Sequence, residues 1–345
     1  MKLFLPLALL LAFIAPAQAV DAPAIDAAAV EKHILPAYAR LTVATAALQA
    51  AADASCTDAA RLQAAWREAM KAWQGAQHLR FGPSEWFDRR ARFLFWPDAR
   101  NVASRQLAEV FAKREAEALT SDRFVRGSIA IQGLGALERV LFDEAEFKKL
   151  LGDAYRCSWL RAVGANLAAM AKGIEADWRG PPMDFGRQFA TAKGLHVNYA
   201  SPSDALLELF KSLHTAIELV ADHKLARPLG SSAGDAKPRL AESWRSGASL
   251  DNIRANLAAA ETLYAVMSPG VADAKLDAEI KTRLAALRGT AAAIRQPLET
   301  AVAAAPARTA VERLRRDAGQ LKTVLAERLT EALGLPLGFN ALDGD

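Results

Sequence analysis

The sequence predicts an all-α protein made of two helical bundles. Alanine, leucine, arginine and glutamate dominate the 345 residues, runs of β-branched residues are scarce, and apolar residues recur three and four positions apart almost throughout. A weak internal repeat, 135–142 against 258–264, places a glutamate in an apolar helix shortly before an aromatic residue. Two related bundles would produce such a repeat, and chance similarity between alanine-rich helices would produce it equally often.

The N-terminal residues 1–19 have the organisation of a secretory signal peptide. Lys2 provides a positive charge, an apolar run follows from 3 to 15, and the sequence Ala17-Gln18-Ala19 is a small-x-small cleavage site. The run is too short to span a bilayer, and no later segment reaches about 18 uninterrupted apolar residues. We therefore expect a mature chain that begins near Val20, has no transmembrane segment and works in a bacterial periplasm.

The charge balance argues against a nucleic-acid partner. Lysine and arginine number 43 against 39 aspartates and glutamates, which gives a formal net charge of +4. This small excess is spread along the chain and forms no basic patch of the kind that binds nucleic acid. Short basic clusters such as 313–316 are mixed with acids, which is typical of a solvated helix face.

The two cysteines, Cys56 and Cys157, predict a disulfide. In an oxidising compartment two cysteines usually pair, and a bond that closes so long a loop would stabilise the fold by roughly 2–4 kcal/mol. Two buried free thiols are the alternative. Metal ligation by these two alone is not expected, because four-ligand sites need closely spaced partners.

The first half, 20–180, begins with two predicted helices. Residues 25–52 indicate one long helix with a kink at Pro36. Thr57-Asp58 can cap a second helix that runs to about residue 79. The buried face of this second helix would carry apolar residues about four positions apart, namely Leu62, Trp66, Met70 and Trp73.

An aromatic-rich loop, 81–101, follows the second helix. Gly82-Pro83 ends the helix, and the apolar surface of the loop must pack against the rest of the protein. Its aromatic residues after that stop are Trp86, Phe87, Phe93, Phe95 and Trp96. Three further helices are predicted in this half, at about 102–118, 121–142 and 156–178.

The strongest internal break is Gly180-Pro181-Pro182, where we place the boundary to a second bundle, 181–345. Gly230 to Gly234 has the composition of a flexible linker. The helices predicted beyond the boundary lie at about 203–226, 249–267, 272–304 (broken at Gly289 or Pro297) and 307–333.

Three stretches of the chain resemble one family. They are 65–83 together with Phe95-Trp96-Pro97-Asp98, then 132–142, and finally the C-terminal 335–345. In this order they are similar to the imelysin family, also called the M75 or insulin-cleaving membrane protease family, over nearly all of the mature chain. The resemblance implies a secreted bacterial protein of two helical bundles related by pseudo-symmetry. It also implies a link to iron-regulated uptake, since members are tied to such systems and some to alginate or metal binding.

The family's hallmark is the motif G-x-H-x-x-E, whose histidine and glutamate are proposed metal ligands or peptidase residues. Here Gly133 and Glu138 match the motif, but Gly135 occupies the histidine position. A His and a Glu three residues apart on a helix can hold one ion, whereas Glu138 alone cannot. We therefore assign no cofactor. Glu138 remains open to three interpretations: a hydrogen-bonded strut at the bundle junction, a ligand contact, or a metal ligand.

Other residues near this motif are candidates for a ligand site. Arg80 could hold Glu138 in a bidentate ion pair or bind an anionic ligand instead. His78 is expected at the surface or at an interface. Trp66 and Trp73 are expected in the core, with stacking on a ligand as the alternative. The predicted ligand-binding set is Glu138, Arg80, Gly133, Gly135, Trp66, Trp73, Gln77 and His78.

His214, Glu218 and Asp222 follow one another at intervals of four residues on a predicted helix. This spacing could make a metal grip, but amphipathic helices often produce such rows, so a solvated polar face is the competing interpretation.

The function that these observations favour is a non-catalytic periplasmic binding protein. Its ligand would lie at the junction of the two bundles, and its partners would be a small ligand or components of iron uptake. A metallopeptidase of the M75 type is one alternative, and a structural or envelope-interaction protein is another. The sequence contains no H-E-x-x-H, G-x-S-x-G, phosphate-binding P-loop or dinucleotide-binding fingerprint.

Overall fold

The structure, a computed structural model, describes residues 20–195 and 199–336. Every regular element in these residues is helical and none is a strand, which confirms the all-α prediction. The predicted signal peptide, 1–19, and most of the C-terminal motif, 337–345, lie outside the described residues. The α-helices are α1 (Ala22–Ala29), α2 (Leu35–Ala54), α3 (Ala59–Gln74), α4 (Arg89–Phe93), α5 (Val102–Lys113), α6 (Ser121–Arg126), α7 (Leu134–Leu141), α8 (Glu144–Leu150), α9 (Ala154–Arg179), α10 (Phe185–Thr191), α11 (Pro202–Glu218), α12 (Ala226–Leu229), α13 (Ser249–Met267), α14 (Ala274–Ala293), α15 (Leu298–Ala301), α16 (Ala307–Val324) and α17 (Thr330–Ala332).

Shorter helical segments connect several of these helices. Three are π-helical: Val30–Ile34, Leu219–Leu225 and Leu325–Leu329. Seven are 3₁₀ turns: Gly82–Ser84, Trp86–Asp88, Ala116–Leu119, Ile129–Ile131, Ala233–Asp235, Pro238–Leu240 and Ser268–Gly270.

The predicted long N-terminal helix is interrupted just before Pro36. The π-helical turn Val30–Ile34 separates α1 from α2, and the N–H of Leu35 donates to the carbonyl of Val30, five residues back. Proline has no N–H to donate to the preceding turn, and its ring crowds the carbonyl four residues before it. The wider turn accommodates this defect while the helix continues.

Helix α3 starts where the sequence predicts but ends earlier. The Asp58 carboxylate accepts a hydrogen bond from the N–H of Arg61 at 3.0 Å, so Asp58 is the N-cap. The helix ends at Gln74, ahead of Gly75, and not near residue 79. Its apolar stripe is buried as expected.

The aromatic side chains of the loop 81–101 pack against the rest of the protein, with the exception of Phe87. Phe93 is fully buried and stacks on Trp73, with 4.6 Å between the ring centroids. Phe87 is 76% exposed, at a backbone φ of 57°. The loop therefore contributes two aromatic side chains to the hydrophobic core, Phe81 and Phe93.

The prediction of a single helix over 121–142 is wrong. The chain forms α6, a 3₁₀ turn and α7 instead, with Gly127 after α6 and Gly133 before α7. A Cβ atom at Gly133 would lie 2.5 Å from the carbonyl oxygens of both Arg92 and Phe93. The close approach of two backbones therefore decides where α7 starts, against the helix-forming tendency of the surrounding residues.

The helices of the second half agree better with prediction. α13 spans Ser249–Met267, as expected, and α11 continues through a π-helical segment into α12. Gly289 lies inside α14, which ends at Ala293, so the break falls on the Pro297 side of the two predicted positions.

A disulfide joins the turn between α2 and α3 to α9. Cys56 and Cys157 are bonded, with 5.6 Å between their Cα atoms, which confirms the predicted pair. α2 packs along α9 and against α3, so the bond reinforces an extensive helix contact.

The predicted division into two halves remains a prediction. α9 ends at Arg179, directly before the proposed boundary, but α1 packs against α10, α11 and α13, and α3 packs against α13. Among the helices of residues 20–195 and 199–336, none combines the length and the apolar character needed to cross a membrane.

Candidate functional site

One cavity of the described residues lies between segments from both predicted halves. Its volume is about 400 Å³. The loop 94–99 and the first turns of α7 form one wall, and residues 226–230 and 237–245 form the other. We call it the junction cavity.

Glu138 lies at the wall of the junction cavity and is tied to the opposite segment. Its Oε1 accepts two hydrogen bonds from Ser246, one from the backbone N–H and one from the hydroxyl, both at 2.9 Å. Only 6% of the residue is exposed, and this burial raises the pKa of the carboxyl although the Ser246 bonds partly offset it. Among the described residues no donor reaches Oε2.

The ion pair between Glu138 and Arg80, one of the two roles considered for Arg80, is not formed. Ser246 is the hydrogen-bond partner of Glu138, and Arg80 lies in a second, smaller cavity. A serine 108 positions away supplies the bond because the 243–246 turn folds back onto α7. No local sequence pattern predicts a hydrogen-bond partner so far along the chain.

The two motif glycines have different roles. Gly133 is required by the close approach of the 92–93 backbone described above. Gly135 lines the junction cavity, and a Cβ atom there would lie 3.4 Å from Leu94 Cδ1, an ordinary contact. A side chain at position 135 would therefore fit, and its absence leaves space in the cavity.

The residues around Glu138 do not fit the metal ion that the family motif implies. Gly135 offers no donor, and one oxygen of Glu138 is already hydrogen-bonded. Within residues 20–195 and 199–336, no three His, Cys, Asp or Glu side chains are grouped so that they could share an ion. The donor set falls short of the three or four ligands of a transition-metal site.

The row His214, Glu218 and Asp222, which begins on α11 and ends in the π-helical segment, does not converge on one point either. His214 Nδ1 and Glu218 Oε2 are 3.7 Å apart and both side chains are largely buried, whereas Asp222 forms an ion pair with Lys322. Burial lowers the pKa of His214 to about 4. Within the described part of the chain, the pair is therefore neither part of a solvated helix face nor part of a metal site, because both side chains are packed between helices.

The smaller cavity, of about 140 Å³, contains three of the predicted site residues. Trp73, Gln77 and Arg80 line it, and it shares Trp96 and Arg227, among others, with the junction cavity. The Arg80 Nε is buried without a hydrogen-bond partner among the described residues. Burial lowers the pKa of this guanidinium to about 10, and the neighbouring Arg90 adds to the effect.

A buried polar network borders both cavities through Glu242, and no sequence motif pointed to it. Lys224, which is 1% exposed, donates to Glu242 Oε2 at 2.8 Å. The same oxygen accepts from Asn252 at 2.8 Å and from Gln74 at 3.0 Å. Burial lowers the pKa of Lys224.

Lys224 follows Leu213, Ile217 and Val220 at helical spacing, so it continues a buried apolar row. Its position on this row was the available signal, since a buried cation needs a partner.

His78, expected at the surface or at an interface, is instead buried. It is 1% exposed, and its Nε2 lies 2.8 Å from Nε2 of His33. Nδ1 of His33 lies 3.0 Å from Thr262 Oγ1. Trp66, expected in the core, lies there fully buried and donates to the carbonyl of Leu134 at 2.9 Å. His78, Trp66 and Gly133 line neither cavity.

Comparison with known proteins supplies an independent view of the fold. The peptidase M75 family model, described as imelysin, matches residues 34–325. An imelysin-like protein from Psychrobacter arcticum 273-4 has a similar structure, with a TM-score of 0.75, 21% identity, and coverage of 93% of this chain and 100% of that chain. A "putative iron-regulated protein A precursor" from Parabacteroides distasonis ATCC 8503 gives a TM-score of 0.70, 16% identity, and coverage of 88% and 94%. No curated protein sequence matches significantly. At these identities the structural likeness concerns the fold alone.

Proposed function

The chain belongs to the imelysin family, and from this premise we propose that it is a non-catalytic periplasmic protein that binds a small ligand in the junction cavity. The observation that carries the proposal is the position of that cavity. It lies between a loop and helix of the first predicted half and two segments of the second, and Glu138 ties its walls together through Ser246. Cavities between packed helices are common ligand sites.

The donor set supports binding over peptide hydrolysis. A metallopeptidase needs a metal-bound water and a general base. The position where the family motif has a histidine is Gly135, and Glu138 accepts hydrogen bonds from Ser246. We therefore assign no catalytic residue.

A connection with iron or metal acquisition is part of the proposal. The Parabacteroides distasonis protein with a similar fold is described as iron-regulated. We extend this to the present chain as an expectation, with iron chelates as the first ligands to test.

A thermal-shift screen with a cavity-filling variant tests the proposal. The screen uses haem, ferric chelates and uronate oligomers, because a ligand that binds only the folded state raises the melting temperature. Gly135→Phe places a ring in the junction cavity and should abolish any shift. Gly289→Phe is the matched control, since Gly289 is exposed on α14 with no atom within 4 Å of its Cβ position.

We expect at least one ligand that shifts the wild type and the Gly289→Phe variant but not Gly135→Phe. A shift that persists in Gly135→Phe would place the ligand elsewhere. If no ligand raises the melting temperature of the wild type, the result would favour the structural or envelope-interaction alternative.

A further inference from the structure

Cationic side chains outnumber acidic ones around the junction cavity. The cationic residues in its lining are Arg139, Arg227, Lys237, Arg239 and Arg245. The acidic residues are Asp98, Glu138 and Glu242.

Each of the three acids already has a partner within the protein. Asp98 Oδ2 accepts from Arg139 at 2.9 Å, and Glu242 Oε2 accepts from the buried Lys224 at 2.8 Å. Glu138 accepts two hydrogen bonds on Oε1, as described above. Of these three acids, Asp98 forms an ion pair with a cation of the lining, Glu242 forms one with Lys224 outside the lining, and Glu138 forms none.

Among the described residues, three arginines of the lining form no ion pair or hydrogen bond with a carboxylate: Arg227, Arg239 and Arg245. They differ in this from Arg139, and also from Lys237, whose Nζ lies 3.4 Å from an oxygen of Asp235. Each unpaired guanidinium presents several N–H donors in a plane, a geometry that matches carboxylate and phosphate oxygens.

Each of these three guanidinium groups forms a cation–π contact with one of two tryptophans. Arg227 lies 5.9 Å from the ring centre of Trp96, and Arg245 and Arg239 lie 4.4 Å and 5.4 Å from that of Trp244. Stacking on an aromatic face stabilises the cation and leaves the edges of the guanidinium available for hydrogen bonds. The cavity thus has two groups of stacked cations, which we call its cationic stations. One is Arg227 on Trp96, and the other is Arg239 with Arg245 on Trp244.

We infer that the junction cavity takes a ligand carrying two or more carboxylate or phosphate groups, bound by Arg227 at one station and by Arg239 and Arg245 at the other. This inference rests on the proposed binding function and names the chemical class of the ligand. A multiply charged anion offsets the mutual repulsion of the guanidinium groups, whereas an uncomplexed metal cation would add to it. Burial lowers the pKa of Arg245, and the neighbouring Arg139 adds to the effect, whereas the carboxylates of Glu138 and Asp143 act in the opposite direction.

Isothermal titration calorimetry with defined probes tests this inference. The probes are citrate, pyrophosphate and, as a neutral molecule, sorbitol, each in 20 mM and 200 mM NaCl. The variant is Arg239→Gln/Arg245→Gln. The matched control is Arg313→Gln/Arg316→Gln, which removes the same charge from side chains of α16 that are 66% and 62% exposed.

We expect citrate or pyrophosphate to bind, sorbitol not to bind, and affinity to fall at the higher salt concentration. Arg239→Gln/Arg245→Gln should weaken binding at least about tenfold, because hydrogen bonds to charged groups contribute strongly to affinity. The control should change it less than about twofold, the scale of an exposed charge. Binding of citrate alone indicates a carboxylate ligand, and binding of pyrophosphate alone indicates a phosphate ligand.

Equal binding of sorbitol, or an undiminished affinity in Arg239→Gln/Arg245→Gln, would overturn the inference. If neither anion binds while Gly135→Phe still abolishes the thermal shift of another ligand, the anionic class is wrong and the proposed function stands. If an anion binds equally well to Gly135→Phe, the junction cavity is not the site and both proposals fail.

Discussion

Glu138 and His78 are both buried polar residues, and their hydrogen bonds show how differently such groups can be used. One carboxylate oxygen of Glu138 accepts hydrogen bonds from Ser246, and the other has no donor among the described residues. Glu138 can therefore join the two segments and also contribute a free acceptor to the cavity wall. His78 has its contact with His33 in the interior, away from both cavities. A ligand can reach the first of these residues but not the second.

The hydrogen bonds of the histidine pair determine its tautomers. Thr262 Oγ1 donates to the carbonyl of Ala259 at 2.9 Å, so it accepts from Nδ1–H of His33. His33 Nε2 is then an acceptor, and His78 Nε2 must carry the proton between them. The pair is neutral. Protonation of His33 would set two N–H groups against each other, and protonation of His78 would place a buried positive charge on a ring whose Nδ1 has no hydrogen-bond partner among the described residues.

The histidine pair should make the protein less stable in acid. Burial lowers the pKa of His33 to about 4, with a further contribution from Arg40, and burial also lowers the pKa of His78 well below its usual value. The unfolded chain takes up these protons at about pH 6.5. Stability is therefore complete above pH 6.5 and declines as the pH falls towards 4, by about 3 kcal/mol for His33 alone.

Urea unfolding at pH 7.5, 6 and 5 measures this effect. The variant His33→Asn/His78→Asn should be less stable than the wild type at pH 7.5, and the difference should shrink as the pH falls. Comparing the two proteins removes the contribution of other titrating groups, such as Asp26, whose pKa burial raises to about 8. Parallel pH profiles would show that the pair does not titrate as described.

At the scale of elements, the start of α7 is set by contact with another segment. Gly133 lies directly against the carbonyl oxygens of Arg92 and Phe93, whereas Gly135 faces the junction cavity. The two glycines lie two residues apart at the same helix terminus, so they form a matched pair for substitution.

Gly133→Ala should destabilise the protein by about 1–3 kcal/mol, because two backbone segments must move apart to admit a methyl group. Gly135→Ala should be neutral or stabilising by up to about 1 kcal/mol, since alanine favours the helix and its Cβ has room. Chemical denaturation of both variants measures the difference. Equal effects of the two substitutions would mean that the contact at Gly133 is not as close as 2.5 Å.

At the scale of the whole molecule, the network around Lys224 and Glu242 connects distant parts of the chain. Gln74 at the end of α3 and Asn252 on α13 both donate to the Glu242 carboxylate, which also accepts from Lys224 in the π-helical segment. Asn256 donates to the carbonyl of Gln74 at 2.8 Å. Four segments far apart in sequence thus share one buried charge pair.

Removing one charge of the Lys224–Glu242 pair should lower the free energy of unfolding strongly. Lys224→Met leaves the Glu242 carboxylate buried without its cation and should destabilise the protein by about 3–5 kcal/mol. Lys224→Met/Glu242→Gln should recover much of this loss, because glutamine is neutral and still offers an acceptor to Asn252. Lys148→Met is the control: it removes an exposed i,i+4 ion pair with Glu144 and should change stability by less than about 1 kcal/mol.

Thermal and urea unfolding of the three variants measure these changes. A loss in Lys224→Met no larger than that in Lys148→Met would show that the buried pair contributes nothing beyond a surface pair. A double variant no better than the single one would show that the glutamate charge is not the source of the cost.

Much of the architecture was predictable from local patterns. Apolar spacing correctly predicted the buried stripe of α3 and the bounds of α13, and Asp58 marked a helix start through its own side chain. These features depend on residues a few positions apart, so the information lies within each segment. The pairing of Cys56 and Cys157 was predictable for another reason, because only two cysteines are present.

The partners of the polar residues were decided only by the tertiary structure. Glu138 bonds to Ser246 and not to Arg80, His78 lies beside His33, and the helix predicted over 121–142 breaks where Gly133 meets another backbone. Periodicity tells which face of a helix is buried, but it carries no information about which distant segment will cover that face. The sequence by itself therefore determined the helical fold class, most of the helices, the disulfide and the family. The packing of helices far apart in sequence determined the remaining helix ends, the two cavities and the charges that line them.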